Sequence, residues 1–201
     1  MIENPLEYEI AKKETLYKGV FRLVRLHLRH QLFGGGISEV FTREVFERPA
    51  AAAILPYDPF LDRVILIKQF RAGGINKDEP WMLEIPAGML DPNESTENLA
   101  KRELTEETGC EAIELCKICG FFVSPGGSDE YLTVFCGKVD AANVSGIFGI
   151  KEDHEDILVV NVSVEEALEK LNRGEIKTGP AIIGLLWLQL NKEKIKKEWV
   201  K

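Results

Sequence analysis

Glu103, Glu106 and Glu107 stand at spacings i, i+3 and i+4 within a stretch, 96–108, that contains neither glycine nor proline. Ser95 ahead of it is a favoured N-cap, and Gly109 behind it suits the left-handed turn that ends a helix. The pattern therefore predicts a helix over 96–108. On a helix this spacing gathers the three carboxylates on one face, open to solvent. Like charges at such distances repel, so something positive must offset them. Carboxylate oxygens suit a hard divalent cation, with Mg²⁺ or Mn²⁺ the best match. Leu99, Ala100 and Leu104 can seat the rest of the helix against a core. A bare pair of glutamates on a helix would read as a solvated surface. Here the preceding loop is ordered by spacing too, with Gly88 six positions before Glu94 and Glu94 eight before Arg102.

The chain has the means to position such a helix. Its 201 residues suffice for one domain of about 150 residues and a smaller part. A hydrophobic content of 45% allows a substantial core. The net charge of −8 argues against nucleic acid or an anionic membrane as the main partner. It leaves a phosphate substrate open, because a bound metal inverts the local charge. Residues 1–15 are rich in Glu and Lys and lack the features of a signal peptide. The apolar run from Ala181 to Leu190 is too short to span a bilayer. A cytoplasmic enzyme is expected. Cys116 and Cys119 form a C-x-x-C without a second pair or nearby histidines, so Cys110, Cys116, Cys119 and Cys136 read as reduced cysteines.

Apolar residues alternate with Arg25, His27 and Arg29 between Val24 and Leu28, which is strand periodicity. Gly34, Gly35 and Gly36 turn the chain, and Glu39–Phe46 reads as a returning strand. Residues 1–48 thus form a small β-rich unit, and 49–201 the main domain. In the latter, Ala51–Pro56, Val64–Phe70, Trp81–Ile85, Ile113–Phe122, Tyr131–Val139 and Leu158–Val162 read as strands. Ser163 and Glu166 make a capping box that opens a helix ending near Gly174. A last helix starts at about Pro180. Strands and helices in this order give an α+β fold with a mixed β-sheet.

Gly88, Glu94 and the run Arg102-Glu103-Leu104-Thr105-Glu106-Glu107-Thr108-Gly109 resemble the Nudix box, the signature of the Nudix hydrolases; Cys110 fills its final apolar slot. The resemblance implies an α/β/α sandwich and cleavage of a nucleoside diphosphate linked to another group. It also implies that Glu103 and Glu107 bind metal, with Glu106 a further ligand or a neighbour of one, and with the backbone carbonyl of Ala87 contributing. Arg102 would tie the helix to its loop, Glu94 would steady that loop, and Gly88 would permit a close backbone turn.

Further residues extend the likeness to nearly the whole chain. Pro125 stands 15 residues after Cys110, an offset that marks the ADP-ribose pyrophosphatases of the family. Glu14-Thr15-Leu16-Tyr17, Gln69-Phe70-Arg71, Pro80-Trp81 and Leu186-Trp187 agree. Members of that group of about this length are homodimers with exchanged N-terminal units. By this resemblance Arg71 contacts the terminal ribose or phosphates, Glu130 contacts the distal part of the substrate, and Arg43 and Glu44 come from the partner subunit. Val20 or Phe21 packs on the adenine. A loop before a strand supplies the general base. Asp153 holds the matching position, Glu152 is adjacent with a longer arm, and Glu106 is the alternative within the box. Glu155 matches the second loop carboxylate and is a metal ligand.

The expected reaction is Mg²⁺-dependent hydrolysis of ADP-ribose to AMP and ribose 5-phosphate. GDP-mannose or ADP-glucose hydrolysis is the alternative, and a nucleotide-sensing module without turnover is a third reading.

Overall fold

The computed structural model describes residues 6–200, apart from the side chain of Asp153. It falls into two compact units. One runs up to Pro49 and includes Phe122–Tyr131; the other comprises Ala50–Phe121 and the chain from Leu132 onward. The segment 122–131 thus clusters with the N-terminal unit, which a single cut at 48/49 does not capture.

The first unit is an antiparallel sheet in the order β1-β2-β3, with β1 at Tyr8–Lys18, β2 at Arg22–His30 and β3 at Phe41–Glu47. Opposite charges face each other across it: Glu9 is paired in register with Arg29 and Arg25 with Glu44, with ion pairs of 2.6 and 2.8 Å. Such cross-strand pairs fix register where burial cannot. Strand β1 lies outside the sequence expectation. Its side chains are exposed except for the half-buried Glu14, so it has no buried face to produce an alternating pattern. The segment 122–131 joins through Phe46, whose N–H donates to Gly127 O (2.8 Å), and through Arg48 N–H to Asp129 Oδ1 (2.8 Å).

The second unit is built on a mixed sheet. Its strands are β4 (Ala51–Asp58), β5 (Arg63–Phe70), β6 (Trp81–Glu84), β7 (Ala87–Met89), β8 (Glu114–Phe122), β9 (Tyr131–Lys138), β10 (Ile147–Phe148) and β11 (Ile157–Ser163). The order is β10-β11-β5-β4-β9-β8, with β6 paired to β5 and β7 to β4. Strand β4 is central, buried along its length, and pairs in parallel with β9.

Alternate residues of β4 feed two cores. Ala52 and Ile54 join Ile65, Phe135 and Val159 under helix α1 (Thr96–Thr108), which contributes Leu99, Ala100 and Leu104. Ala53 and Leu55 join Leu66 and Val134 under α2 (Val164–Asn172) and α3 (Gly179–Trp199), where Ala167, Leu185 and Leu188 close the layer. The result is the α/β/α sandwich.

Capping follows the sequence expectation. Ser95 Oγ accepts from Asn98 N (3.2 Å), and Gly109, at φ +71°, donates to Thr105 O (2.9 Å). Ser163 Oγ accepts from Glu166 N at 3.1 Å. Strands β7 and β10 are too short to leave a periodicity in the sequence. No described helix is long and apolar enough to cross a membrane.

Candidate active site

Strand β7 lies antiparallel to β4, with Ala87 opposite Ala53 and Gly88 opposite Ala52. This places the backbone of Ala87 and Gly88 beneath α1. Glu107 points into the gap and is only 3% exposed; one carboxylate oxygen accepts the N–H of Ala87 at 3.1 Å. The sequence pattern put all three box glutamates on a solvent face. In the structure Glu107 is buried, because α1 turns that edge toward β7 while Leu104 anchors it in the core. Glu103, one turn earlier, lies against Gly88. A Cβ at Gly88 would fall 1.9 Å from Glu103 Oε1. Gly88 does not adopt a left-handed φ, so glycine is required there for space beside the carboxylate and not to make a turn.

Arg102 ties this arrangement to the preceding loop. Its guanidinium meets Glu94 at 3.1 Å, Glu103 at 2.9 Å and Glu106 at 2.9 Å. Glu94 also accepts the N–H of Asp91 at 3.4 Å, and the Arg102 hydrogen bond holds its carboxyl below the usual range. With Asp91 at 3.9 Å, one cation thus serves four carboxylates, and none of its described contacts is with Glu107.

The electrostatics follow. Burial pushes the Glu103 carboxyl up, opposed by Arg102 and reinforced by Glu106 and Glu155. Burial and the repulsion of Glu103 push Glu107 up to about 8, despite the Ala87 N–H and the nearby positive charge of Arg71. Two carboxylates driven toward neutrality by desolvation and by neighbouring carboxylates are the condition that a bound cation relieves.

On the same side of the sheet, Arg71 donates from Nε to Glu84 Oε2 at 2.8 Å, and Gln69 Nε2 donates to the same oxygen at 3.3 Å. Glu84 was not singled out in the sequence. Its signal is a charge inside the otherwise apolar stretch Met82-Leu83-Glu84-Ile85.

The loop between β10 and β11 is anchored at both ends by core residues, with Phe148 packed against Gly109 and Ile157 buried. Glu155 closes it into a ring: its backbone N–H donates to Ile150 O (3.2 Å), and its carboxylate accepts from Ile150 N (3.1 Å). A depression of about 390 Å³ lies there, lined by Phe148, Gly149, Lys151, His154, Glu155 and Asp156. Glu152 is exposed in the 3₁₀ turn of 151–153. The side chain of Asp153 lies outside the described part of the structure.

The structure therefore brings Ala87, Glu103 and Glu107 together, with Arg71 and Glu155 near enough to act on Glu107 by charge, while Glu106 is engaged by Arg102. The remaining candidates belong to the first unit. There Glu130 pairs with Arg48 at 3.0 Å, and Arg48 lies 4.7 Å over the ring of Phe21. Phe21 in turn meets Phe46 edge-on at 5.3 Å. Glu44 pairs with Arg25, and the Arg43 guanidinium lies 4.7 Å over Phe41. Val20 is 90% exposed.

Among the described residues, no three His, Cys, Asp or Glu side chains converge as a ready metal cage. The donor chemistry nevertheless fits a hard divalent cation. Glu103 and Glu107 are oxygen donors lacking a full complement of positive partners, and the backbone of Ala87 and the loop carboxylate Glu155 are close by.

Comparison with known proteins agrees with this geometry. The NUDIX domain model matches residues 47–182. The ADP-ribose pyrophosphatase of Escherichia coli (strain K12) is 42% identical over 194 residues, covering 96% of this chain and 93% of that protein. The ADP-ribose pyrophosphatase of Haemophilus influenzae is also 42% identical, over 197 residues (96% and 91%). A GDP-mannose pyrophosphatase of Enterobacter sp. (strain 638) is 37% identical over 188 residues (92% and 97%). Among solved structures, one described as an ADP compounds hydrolase superposes with a TM-score of 0.70 over 98% of this chain and 99% of that one, at 21% identity, a likeness of fold. Family members generally depend on a divalent metal. With Glu103 and Glu107 gathered over β7 and a family model that matches residues 47–182, from the end of β3 into α3, the chain belongs to the NUDIX domain family.

Proposed function

We propose that the chain hydrolyses the pyrophosphate bond of ADP-ribose, giving AMP and ribose 5-phosphate, with Mg²⁺ as the metal. The observation that carries this is the buried Glu107 on Ala87 N–H, with the half-buried Glu103 beside it, in a chain 42% identical to curated ADP-ribose pyrophosphatases along 96% of its length. In the reaction the oxygen of water bonds to one phosphorus. The bridging oxygen leaves with the other phosphate, and the proton of the water passes to a base. Such chemistry asks mainly for positioning and neutralisation of charge.

Glu103, Glu107, Glu155 and the carbonyl of Ala87 would hold the metal, which lowers the charge on the diphosphate and makes bound water more acidic. Arg71 places a positive fork at the phosphates. The base is Asp153 in this reading; Glu106 is already committed to Arg102, and Glu152 is the neighbouring alternative. A base has to come within about 2.6–3.2 Å of the attacking water.

The unit bearing Phe21, Arg43, Glu44 and Glu130 is thin and leaves Tyr8, Tyr17, Val20 and Phe33 largely exposed. That supports a homodimer with exchanged N-terminal units, in which the partner supplies Arg43 and Glu44. Sedimentation at micromolar concentration should give twice the chain mass, and a monomer with full activity would refute the exchange.

The activity itself is tested by steady-state kinetics on ADP-ribose, ADP-glucose and GDP-mannose with Mg²⁺ and with Mn²⁺, identifying products by chromatography. ADP-ribose should have the highest kcat/KM and yield AMP and ribose 5-phosphate in equal amounts. A higher kcat/KM for GDP-mannose would reassign the substrate.

A further inference from the structure

We propose that Glu84 is a positioning residue for substrate binding, acting through Arg71; this rests on the ADP-ribose reading above, in which Arg71 meets the phosphates. The placement begins in the backbone. In the β5–β6 ladder Ile67 is opposite Glu84 and Gln69 opposite Met82. The ladder continues one rung past both strands, where Arg71 N–H donates to Pro80 O at 2.6 Å. The carbonyl of Arg71 then accepts Gly74 N at 2.9 Å, opening the 3₁₀ turn Ala72–Lys77. The Cα of Arg71 is thus fixed from both sides. Ile65, Ile67, Gln69 and Arg71 share one face by strand alternation, and Ile65 belongs to the core under α1. Arg71 is therefore aimed at the side of the sheet that carries Glu103 and Glu107.

Glu84 sits on that same face, 9% exposed, and its Oε2 takes two donors, Arg71 Nε at 2.8 Å and Gln69 Nε2 at 3.3 Å. Among the described residues, only the Nε of the Arg71 guanidinium is engaged. The two terminal nitrogens, which form the fork that binds a phosphate bidentately, have no described side-chain partner. A carboxylate gripping Nε fixes the plane of the guanidinium and leaves that fork free. A buried carboxylate is a poor way to stabilise a sheet, since an apolar residue of like volume often serves as well or better. Its presence here is accounted for by the orientation of Arg71.

The test is a double-mutant cycle of Glu84 and Arg71 in the full-length protein, read as kcat and KM for ADP-ribose at saturating Mg²⁺, with thermal melting as the control for folding. Glu84→Leu should raise KM on the order of 10- to 100-fold, as expected when a binding group is misplaced by about an ångström, with kcat changed much less. Glu84→Gln keeps an oxygen that accepts from Nε and should recover most of the loss. In an Arg71→Ala background neither Glu84 substitution should raise KM further. Should Glu84→Leu fail to fold, Glu84→Ala takes its place in the cycle, with Glu84→Gln again as the rescue. A Glu84 effect on KM as large without Arg71 as with it overturns the positioning role. An Arg71→Ala variant with unchanged KM overturns the prior assignment of Arg71 to the phosphates, a result separate from the first.

Discussion

The two faces of the eight-stranded sheet are made from alternate residues of the same strands, yet they treat charge in opposite ways. Beneath α2 and α3 the core is apolar, with Leu55, Leu66, Val134, Leu185 and Leu188 packed together. Beneath and beside α1 the interior admits Gln69, Glu84 and Glu107. Glu107 meets one backbone N–H and no described cationic side chain in direct contact. Burying a carboxylate this way opposes folding, so the α1 face trades stability for a site of concentrated negative charge. The α2/α3 face supplies the stability that makes the trade possible.

The largest effect should come from the charged face. Glu107→Gln keeps the shape and the Ala87 contact but removes the charge, and should lower kcat for ADP-ribose on the order of 10²-fold or more. Circular dichroism of the variant should match the parent. Near-full turnover would mean that the buried carboxylate is not part of the machinery.

The apolar face should respond in the opposite sense. Leu185→Ala removes a fully buried side chain from α3 and should cost roughly 2–5 kcal/mol in urea unfolding, while kcat and KM well below the melting temperature stay close to those of the parent. A large loss of kcat in this folded variant would show that the two faces are not functionally separate.

A smaller effect is the pH dependence of stability in the metal-free protein. The Glu107 carboxyl is raised from an ordinary 4.5 to about 8 in the folded state, chiefly by burial. Between these values the folded chain holds a proton that the unfolded chain has released. Stability is therefore highest below about pH 4.5 as far as this group is concerned, and declines as pH rises toward 8. Unfolding midpoints in chelator should fall across that window in the parent and fall less in Glu107→Gln. Equal slopes in the two proteins would contradict the burial argument.

The apolar face was the easier to read from sequence. Period-2 and period-3.6 patterns mark elements that bury one side, and β4, β5, β9, β11 and the three helices bury theirs against a large core. The box helix was legible to the residue because both caps, Ser95 and Gly109, are local chemistry. Strand β1 was not, since a strand with exposed side chains on both faces obeys no hydrophobic period. The burial of Glu107 was not legible either. Helical spacing gives the face on which a residue lies, but only the tertiary position of β7 decides whether that face meets water. Glu84 escaped for the same reason: its partner Gln69 is adjacent only through the β5–β6 register. The space needed beside Gly88 depends on a side chain 15 positions away.

The central claim is that the buried Glu107 and the half-buried Glu103 beside it are held for a divalent cation, and calorimetric titration of Mg²⁺ into the metal-free protein tests it most directly. The parent at pH 7 should bind Mg²⁺ with release of protons, because burial raises Glu107 to about 8 before the metal arrives. Glu107→Gln should bind more weakly and release fewer protons. Identical affinity and proton release in the parent and in Glu107→Gln would contradict the account.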